Sequence, residues 1–321
     1  MKSLSVRKLL LPVMALSLLS CLPLSACSDE DVEMKPTERY FINSPLQRQG
    51  HLRVLAIGNS YTSDATRFVA DLLKASGVSD TTYSVYSLTY SAATLEHWWT
   101  MCESGEEVEL NYVAGHGMKH SRGPMSMLLA QDWDVITLQQ YSGAAIKYST
   151  FNPWLRYLIS YIRARCTNPD VTLAWQMAWS YADGYASRYR NLERWALIVK
   201  AVKQMNETDG IDVIIPAGTA IQNARNTELN TQGQLTRDGT HLDRCVGRYI
   251  AACSWVEALF GPVYGITVAG NPFIPNVEPS ATEQYPAQPM TPETAALAQR
   301  CAVAAVASPF AVSAITNGFN E

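Results

Sequence analysis

From Leu52 onward the chain repeats one pattern: a short apolar run, a polar break, then a longer segment with helical spacing. Leu52–Ile57 (LRVLAI) ends at Gly58, and Phe68, Val69, Leu72 and Leu73 follow at core spacing. Thr82–Tyr90, Asp134–Leu138, Val171–Trp175 and Ile211–Pro216 read as further strands. Leu95–Cys102, Trp154–Ile162, Tyr189–Met205, Leu242–Leu259 and Thr291–Val306 read as helices. Continuous apolar strands suit burial on both faces, and a helix between successive strands is the crossover that a parallel pair requires. The pattern therefore predicts an α/β fold, with a parallel sheet between two layers of helices. With 47% hydrophobic and 17% charged residues the chain has enough apolar surface for such a core, which excludes a disordered protein. A length of 321 residues allows one large domain or two ordinary ones. The formal charge of −4 leaves no broad basic surface, so nucleic acid is not expected as a partner.

The segment ahead of this pattern is an address. Lys2, Arg7 and Lys8 precede an apolar stretch, Leu9–Leu24, that Pro12 and Pro23 interrupt. It is too short and broken for a comfortable membrane span and fits a secretory signal, residues 1–26. Its end, Leu24-Ser25-Ala26-Cys27, resembles the bacterial lipobox, which implies lipidation at Cys27. Ser28-Asp29-Glu30-Asp31 then turns acidic, resembling the surface-export signal of lipoproteins in Gram-negative glycan degraders. The expectation is an outer-membrane lipoprotein, held to the membrane by its N-terminal lipid and displayed at the cell surface. Cleavage removes three basic and no acidic residues from a chain of charge −4, leaving −7. Residues 27–50 are polar, contain Pro36 and Pro45, and read as a tether. Cys102, Cys166, Cys245, Cys253 and Cys301 remain, an odd number with no C-x-x-C spacing, so sequence pairs none of them.

In open α/β sheets the working groups sit at the carboxyl ends of strands. The first strand exits into Gly58-Asn59-Ser60-Tyr61-Thr62, placing Ser60 before a helix, where its N–H can face an oxyanion. A nucleophilic hydroxyl needs a base, and the base needs an orienting carboxylate. Of five histidines, His51 abuts the first strand and His97 reads as the polar edge of a helix. His116 and His120 are four apart, as in helical metal sites, but Gly115 and Gly117 weaken any helix there and no acidic residue lies between them. His241 differs: it stands in Arg237-Asp238-Gly239-Thr240-His241, a loop in which Asp238 can place a carboxylate beside the imidazole. Asp64 and Asp243 read as helix caps or dipole partners. Trp98, Trp99, Trp175 and Trp179 read as core, with a sugar platform as the other use of such rings.

Together, Gly-Asn-Ser at a first strand end and Asp-x-x-His near the domain's end resemble the SGNH (GDSL-type) hydrolase superfamily, over roughly residues 51–262. The resemblance implies a three-layer α/β/α, flavodoxin-like domain at 51–262, with residues 263–321 as a C-terminal extension packed on it. It implies Ser60 as nucleophile, His241 as base and Asp238 as orienter, with no metal or organic cofactor. The superfamily's second block supplies a glycine N–H to the oxyanion hole; here Ala92 is the best match. Its third block supplies an asparagine amide; here Gln139 or Gln140 stands after the strand. Ala56-Ile57-Gly58-Asn59-Ser60, Leu138-Gln139-Gln140 and Asp238-Gly239-Thr240-His241-Leu242 resemble a subgroup of uncharacterised exported SGNH proteins. The implied function is an esterase that removes acetyl or other small acyl groups from carbohydrate through an acyl-enzyme. Two other readings stay open, a surface glycan-binding lipoprotein without turnover and a lysophospholipase or thioesterase.

Overall fold

The computed structural model describes residues 50–117, 120–186 and 188–315, so Cys27, the signal segment and most of the tether lie outside the described residues. In chain order the elements are β1 (Leu52–Gly58), α1 (Ser60–Ala65), α2 (Val69–Ala75), β2 (Tyr83–Thr89), α3 (Leu95–Ser104), β3 (Glu107–Gly115), β4 (His120–Pro124), α4 (Met125–Leu129) and β5 (Val135–Leu138). They continue with α5 (Trp154–Arg165), β6 (Thr172–Gln176), α6 (Asn191–Thr208), β7 (Val213–Ile215), α7 (Ala217–Arg225), α8 (Val246–Trp255), α9 (Gly261–Tyr264) and α10 (Pro292–Ala307).

One seven-stranded sheet runs β4-β3-β2-β1-β5-β6-β7. Its five parallel strands, β2-β1-β5-β6-β7, have flavodoxin-like order, and the chain switches direction across the sheet between β1 and β5. Helices α3, α4 and α5 pack together, as do α1, α2, α7, α8 and α10. The fold is thus a three-layer α/β/α sandwich. Val54, Leu55, Val135, Ile136, Leu173 and Ile215 are buried in the sheet, as parallel strands covered on both faces require.

The sheet is not wholly parallel. β3 pairs antiparallel with β2, and β4 with β3. The Glu107–Gly115 sequence alternates exposed Glu107 and Glu109 with half-buried Val108 and buried Leu110, a period-2 signal that a scan for apolar runs passes over. Beyond it the edge strand β4 carries exposed Arg122, a charge that discourages pairing with another chain. Helix α7 also lacks an apolar signature, since Gln222, Asn223 and Arg225 are polar yet buried. Gly218 lets it approach the strand end: a Cβ there would lie 2.2 Å from the Ala178 carbonyl. The helix expected at Leu242–Leu259 begins at Val246, because the Asp243 carboxylate accepts the N–H groups of Cys245 and Gly247 and caps it. It runs on into a π-helical turn, Val256–Phe260.

The C-terminal helix α10 packs on α7 and α8. Asn223 Nδ2 donates to the Cys301 carbonyl at 3.1 Å, and Gln299 Nε2 donates to Tyr249 Oη at 2.8 Å. All five described cysteines are free thiols, and no described helix is long and apolar enough to cross a membrane.

Candidate active site

Ser60 is the first residue of α1, at the carboxyl end of the central strand β1 and beside the switch point. Asn59 caps the helix: its Oδ1 accepts the Tyr61 N–H at 3.0 Å. The cap is itself tied down. Asn59 Nδ2 donates to the Ala93 carbonyl at 3.0 Å, and Gln139 Nε2 donates to Asn59 Oδ1 at 2.5 Å. At N1 the Ser60 N–H has no intrahelical acceptor, so it stays available to a ligand. Gly58 leaves room for this turn, since a Cβ would fall 2.1 Å from Thr62 Oγ1.

His241 reaches Ser60 from 181 residues away. Ser60 Oγ lies 3.0 Å from His241 Nε2, and His241 Nδ1 lies 2.7 Å from Asp238 Oδ2. With Nδ1–H donating to the carboxylate, Nε2 is left as acceptor for the serine proton. The other Asp238 oxygen accepts the N–H groups of Thr240 and His241, at 3.0 and 2.7 Å. These bonds close a tight loop in which Gly239 takes φ +90°, and a Cβ there would sit 2.5 Å from the Tyr185 ring. The His241 and Asp238 side chains are 31% and 42% exposed, so substrate and water can reach the pair.

Two groups of contacts, one around Tyr61 and Trp179 and one around Asp64, hold that loop on α1. Tyr61 stacks on Trp179 with ring centroids 3.8 Å apart, and its hydroxyl meets Thr240 Oγ1 at 3.0 Å. Trp179 Nε1 donates to the Thr240 carbonyl at 2.8 Å. Buried Asp64 of α1 receives Arg237 at 3.0 Å, Arg248 at 2.7 Å and the Leu242 N–H at 3.1 Å. A buried carboxylate is tolerable only when paired in this way. Asp64 is thus the rivet between the two halves of the site, not a helix cap. Its sequence gives no sign of that, because both arginines lie more than 170 positions away. Trp98, Trp175 and Trp179 are fully buried, so they pack rather than present a platform.

The oxyanion side departs from expectation at the glutamines. Gln139 and Gln140 are both buried. Gln139 sits inside a relay: Trp255 Nε1 donates to Gln176 Oε1 at 2.8 Å, Gln176 Nε2 to Gln139 Oε1 at 2.6 Å, and Gln139 Nε2 to Asn59. Gln140 Nε2 donates to the Thr150 carbonyl at 2.8 Å, while its Oε1 accepts the N–H groups of Leu95 and Tyr141. Both amides therefore have scaffold partners on Oε1 or Nε2, and each Nε2 carries a second N–H besides the one that binds scaffold. Ala92 keeps the glycine-like backbone. It has φ +53° at the third position of a turn closed by the Ala93 N–H on the Tyr90 carbonyl, where a left-handed residue is required.

Two carboxylates of the base loop are held apart. Burial raises Asp238, but hydrogen bonds from the Thr240 N–H, the His241 ring and the His241 N–H outweigh it and hold the carboxyl below its ordinary value. Asp243 is pushed up to about 6 by burial. His116 and His120 lie at the ends of β3 and β4 rather than on a helix, and no cluster suited to a metal occurs among the described residues.

Ser60, His241 and Asp238 thus stand in line at the β1–α1 turn of a flavodoxin-ordered sheet. Over residues 53–288 the chain matches the family described as "Domain of unknown function (DUF4886)", and it belongs to that family. A crystal structure of a DUF4886 family protein from Bacteroides uniformis is 30% identical, with a TM-score of 0.70, and covers 82% of this chain and 97% of its own. More distant are a candidate GDSL-like lipase from Parabacteroides merdae and an acetyl xylan esterase from Geobacillus stearothermophilus. The lipase is 15% identical with a TM-score of 0.46, covering 66% of this chain and 96% of its own. The esterase is 14% identical with a TM-score of 0.46, covering 65% and 94%. No curated protein matches the sequence.

Proposed function

We propose that the protein is a serine esterase that removes acetyl or other small acyl groups from carbohydrate. The observation that carries the reading is the unbroken line Ser60 Oγ–His241 Nε2–Asp238, at 3.0 and 2.7 Å. The carbohydrate part is supported by the glycan-degrader export signal that the N-terminus resembles and by the SGNH resemblance of the blocks at Ser60 and His241.

In this reading His241 Nε2 takes the Ser60 proton as Oγ bonds to the ester carbonyl carbon. Asp238 stabilises the imidazolium that forms. The Ser60 and Ala92 N–H groups hold the oxyanion. His241 then protonates the departing alcohol as the C–O bond breaks. Water, deprotonated by His241, attacks the acyl-enzyme and releases the acid and free Ser60. Cys27 carries the lipid, and the domain works at the outer surface of the cell envelope.

The altered oxyanion side favours one alternative, a glycan-binding lipoprotein without turnover. Hydrolysis of a chromogenic acetyl ester by the wild type and by Ser60→Ala separates the two. The esterase reading expects loss of at least a thousandfold in kcat/KM. Equal rates for the two proteins defeat it.

A further inference from the structure

A cleft of about 320 Å³ opens beside the nucleophile turn, between the carboxyl end of β2, helix α3 and the β3–β4 edge. Its volume is at the lower end of the roughly 300–1,000 Å³ of small-ligand sites. Tyr90 and Trp98 form the wall nearest Ser60. The Tyr90 N–H and Trp98 Nε1 both donate to the Gly58 carbonyl, at 3.3 and 3.2 Å, two residues before the nucleophile. Tyr90 is 61% exposed, the most exposed large hydrophobic side chain described. Its ring stacks on His97 with centroids 4.6 Å apart and planes at 28°. His97 Nε2 is buried and has no hydrogen-bond partner. Burial pushes that imidazole below its ordinary value, so the ring that Tyr90 stacks on is neutral at pH 7.

The opposite wall carries Glu106, Glu109 and Arg122. Arg122 already pairs with Glu107 at 3.3 Å. Glu106 and Glu109 have no ion-pair partner among the described residues. Carboxylates that outnumber cations repel an anionic ligand, and so many charged groups reject a long acyl chain. Hydroxyl donors suit them, and an exposed ring suits the apolar face of a sugar.

The geometry points to this cleft as a subsite for a neutral sugar residue of the ester substrate, with Tyr90 as its stacking platform and Glu106 and Glu109 as hydroxyl partners. This rests on the esterase reading only for the word ester; the sugar site stands on the cleft. The test reads binding without turnover. The full chain carrying Ser60→Ala, in detergent, is titrated calorimetrically with cellotetraose, xylotetraose, mannotetraose, chitotetraose and tetragalacturonate. At least one neutral tetrasaccharide should bind, with Tyr90→Ala weakening it on the order of tenfold or more. Glu109→Gln should weaken the same ligand severalfold. Both side chains are exposed, so the variants should melt with the parent. If Tyr90→Ala lowers the melting temperature, the Glu109→Gln result stands in its place. Binding of none of the neutral sugars, tighter binding of tetragalacturonate, or neutral-sugar binding indifferent to both variants would overturn the subsite. Because Ser60 is absent, failure of the esterase reading and failure of the sugar site are read in separate experiments.

Discussion

The two sides of Ser60 are built in different ways. Asp238 and His241 come from one loop of short sequence span, closed by three hydrogen bonds onto Asp238 and clamped from outside by Tyr61, Trp179 and Asp64. On the oxyanion side, the side chains that stand in the expected places, Gln139 and Gln140, are drawn into the scaffold. On one side the polar side chains form a line that ends at Ser60 Oγ; on the other they are turned inward onto the scaffold.

The sharpest way to break that contrast is to remove the orienter. Asp238→Asn keeps the shape of the loop but favours the wrong imidazole tautomer, and kcat for an acetyl ester should fall on the order of 10³–10⁴-fold. The melting temperature should move little by comparison, since the carboxylate is 42% exposed. A fall below tenfold would mean that His241 is held by something other than Asp238.

Gln140→Leu probes the other side. It strips partners from the Leu95 and Tyr141 N–H groups and from the Thr150 carbonyl. Leaving buried polar groups unpaired costs about 1–3 kcal/mol each, so denaturant midpoints should drop clearly. The rate should fall less than tenfold. A loss of 10²–10³ in kcat with unchanged stability, the signature of a missing oxyanion donor, would restore Gln140 to that role.

The same loop predicts a pH signature of opposite signs. Asp243 titrates near 6 in the folded state, above its unfolded value near 4. The folded state thus holds the extra proton between those values, and this group's contribution to stability falls as pH rises from about 4 to 6, then stays level. Asp238 is lowered, so its contribution is present above the unfolded value and is lost as pH falls through the folded one. Urea midpoints from pH 4 to 7 should show a decline in the wild type that Asp243→Asn flattens. An unchanged slope would mean that Asp243 is not the group responsible.

What the sequence made legible follows the same divide. The parallel strands and the Asp-x-x-His loop are written locally, in apolar runs and in a three-residue spacing. Gln139, Asp64 and Trp179 act through partners that are distant in sequence, 80, 173 and 61 positions away. No local pattern encodes which partner a buried amide or carboxylate will meet. The β3–β4 hairpin escaped for another reason: β3, next to the edge strand and with one wet face, carries Glu107, Glu109 and Asn111, and resembles a loop when only apolar runs are counted.

Ala92 gives the finest test, because it alone on the oxyanion side retains the backbone of the residue it replaces. At φ +53° an L-residue pays about 1–2 kcal/mol in steric strain, while glycine surrenders about 0.5–1 kcal/mol of chain entropy. Ala92→Gly should therefore raise stability by about 0.5–1 kcal/mol, a shift of about 1–2 degrees in Tm at this size. If the Ala92 N–H already points at the oxyanion, removing the Cβ should leave kcat within a few-fold. An increase of tenfold or more would show that the methyl group holds the substrate away from that donor. A fall in Tm would show instead that the methyl group packs favourably, and that the left-handed turn is imposed by the Asn59–Ala93 bond rather than tolerated by the residue itself.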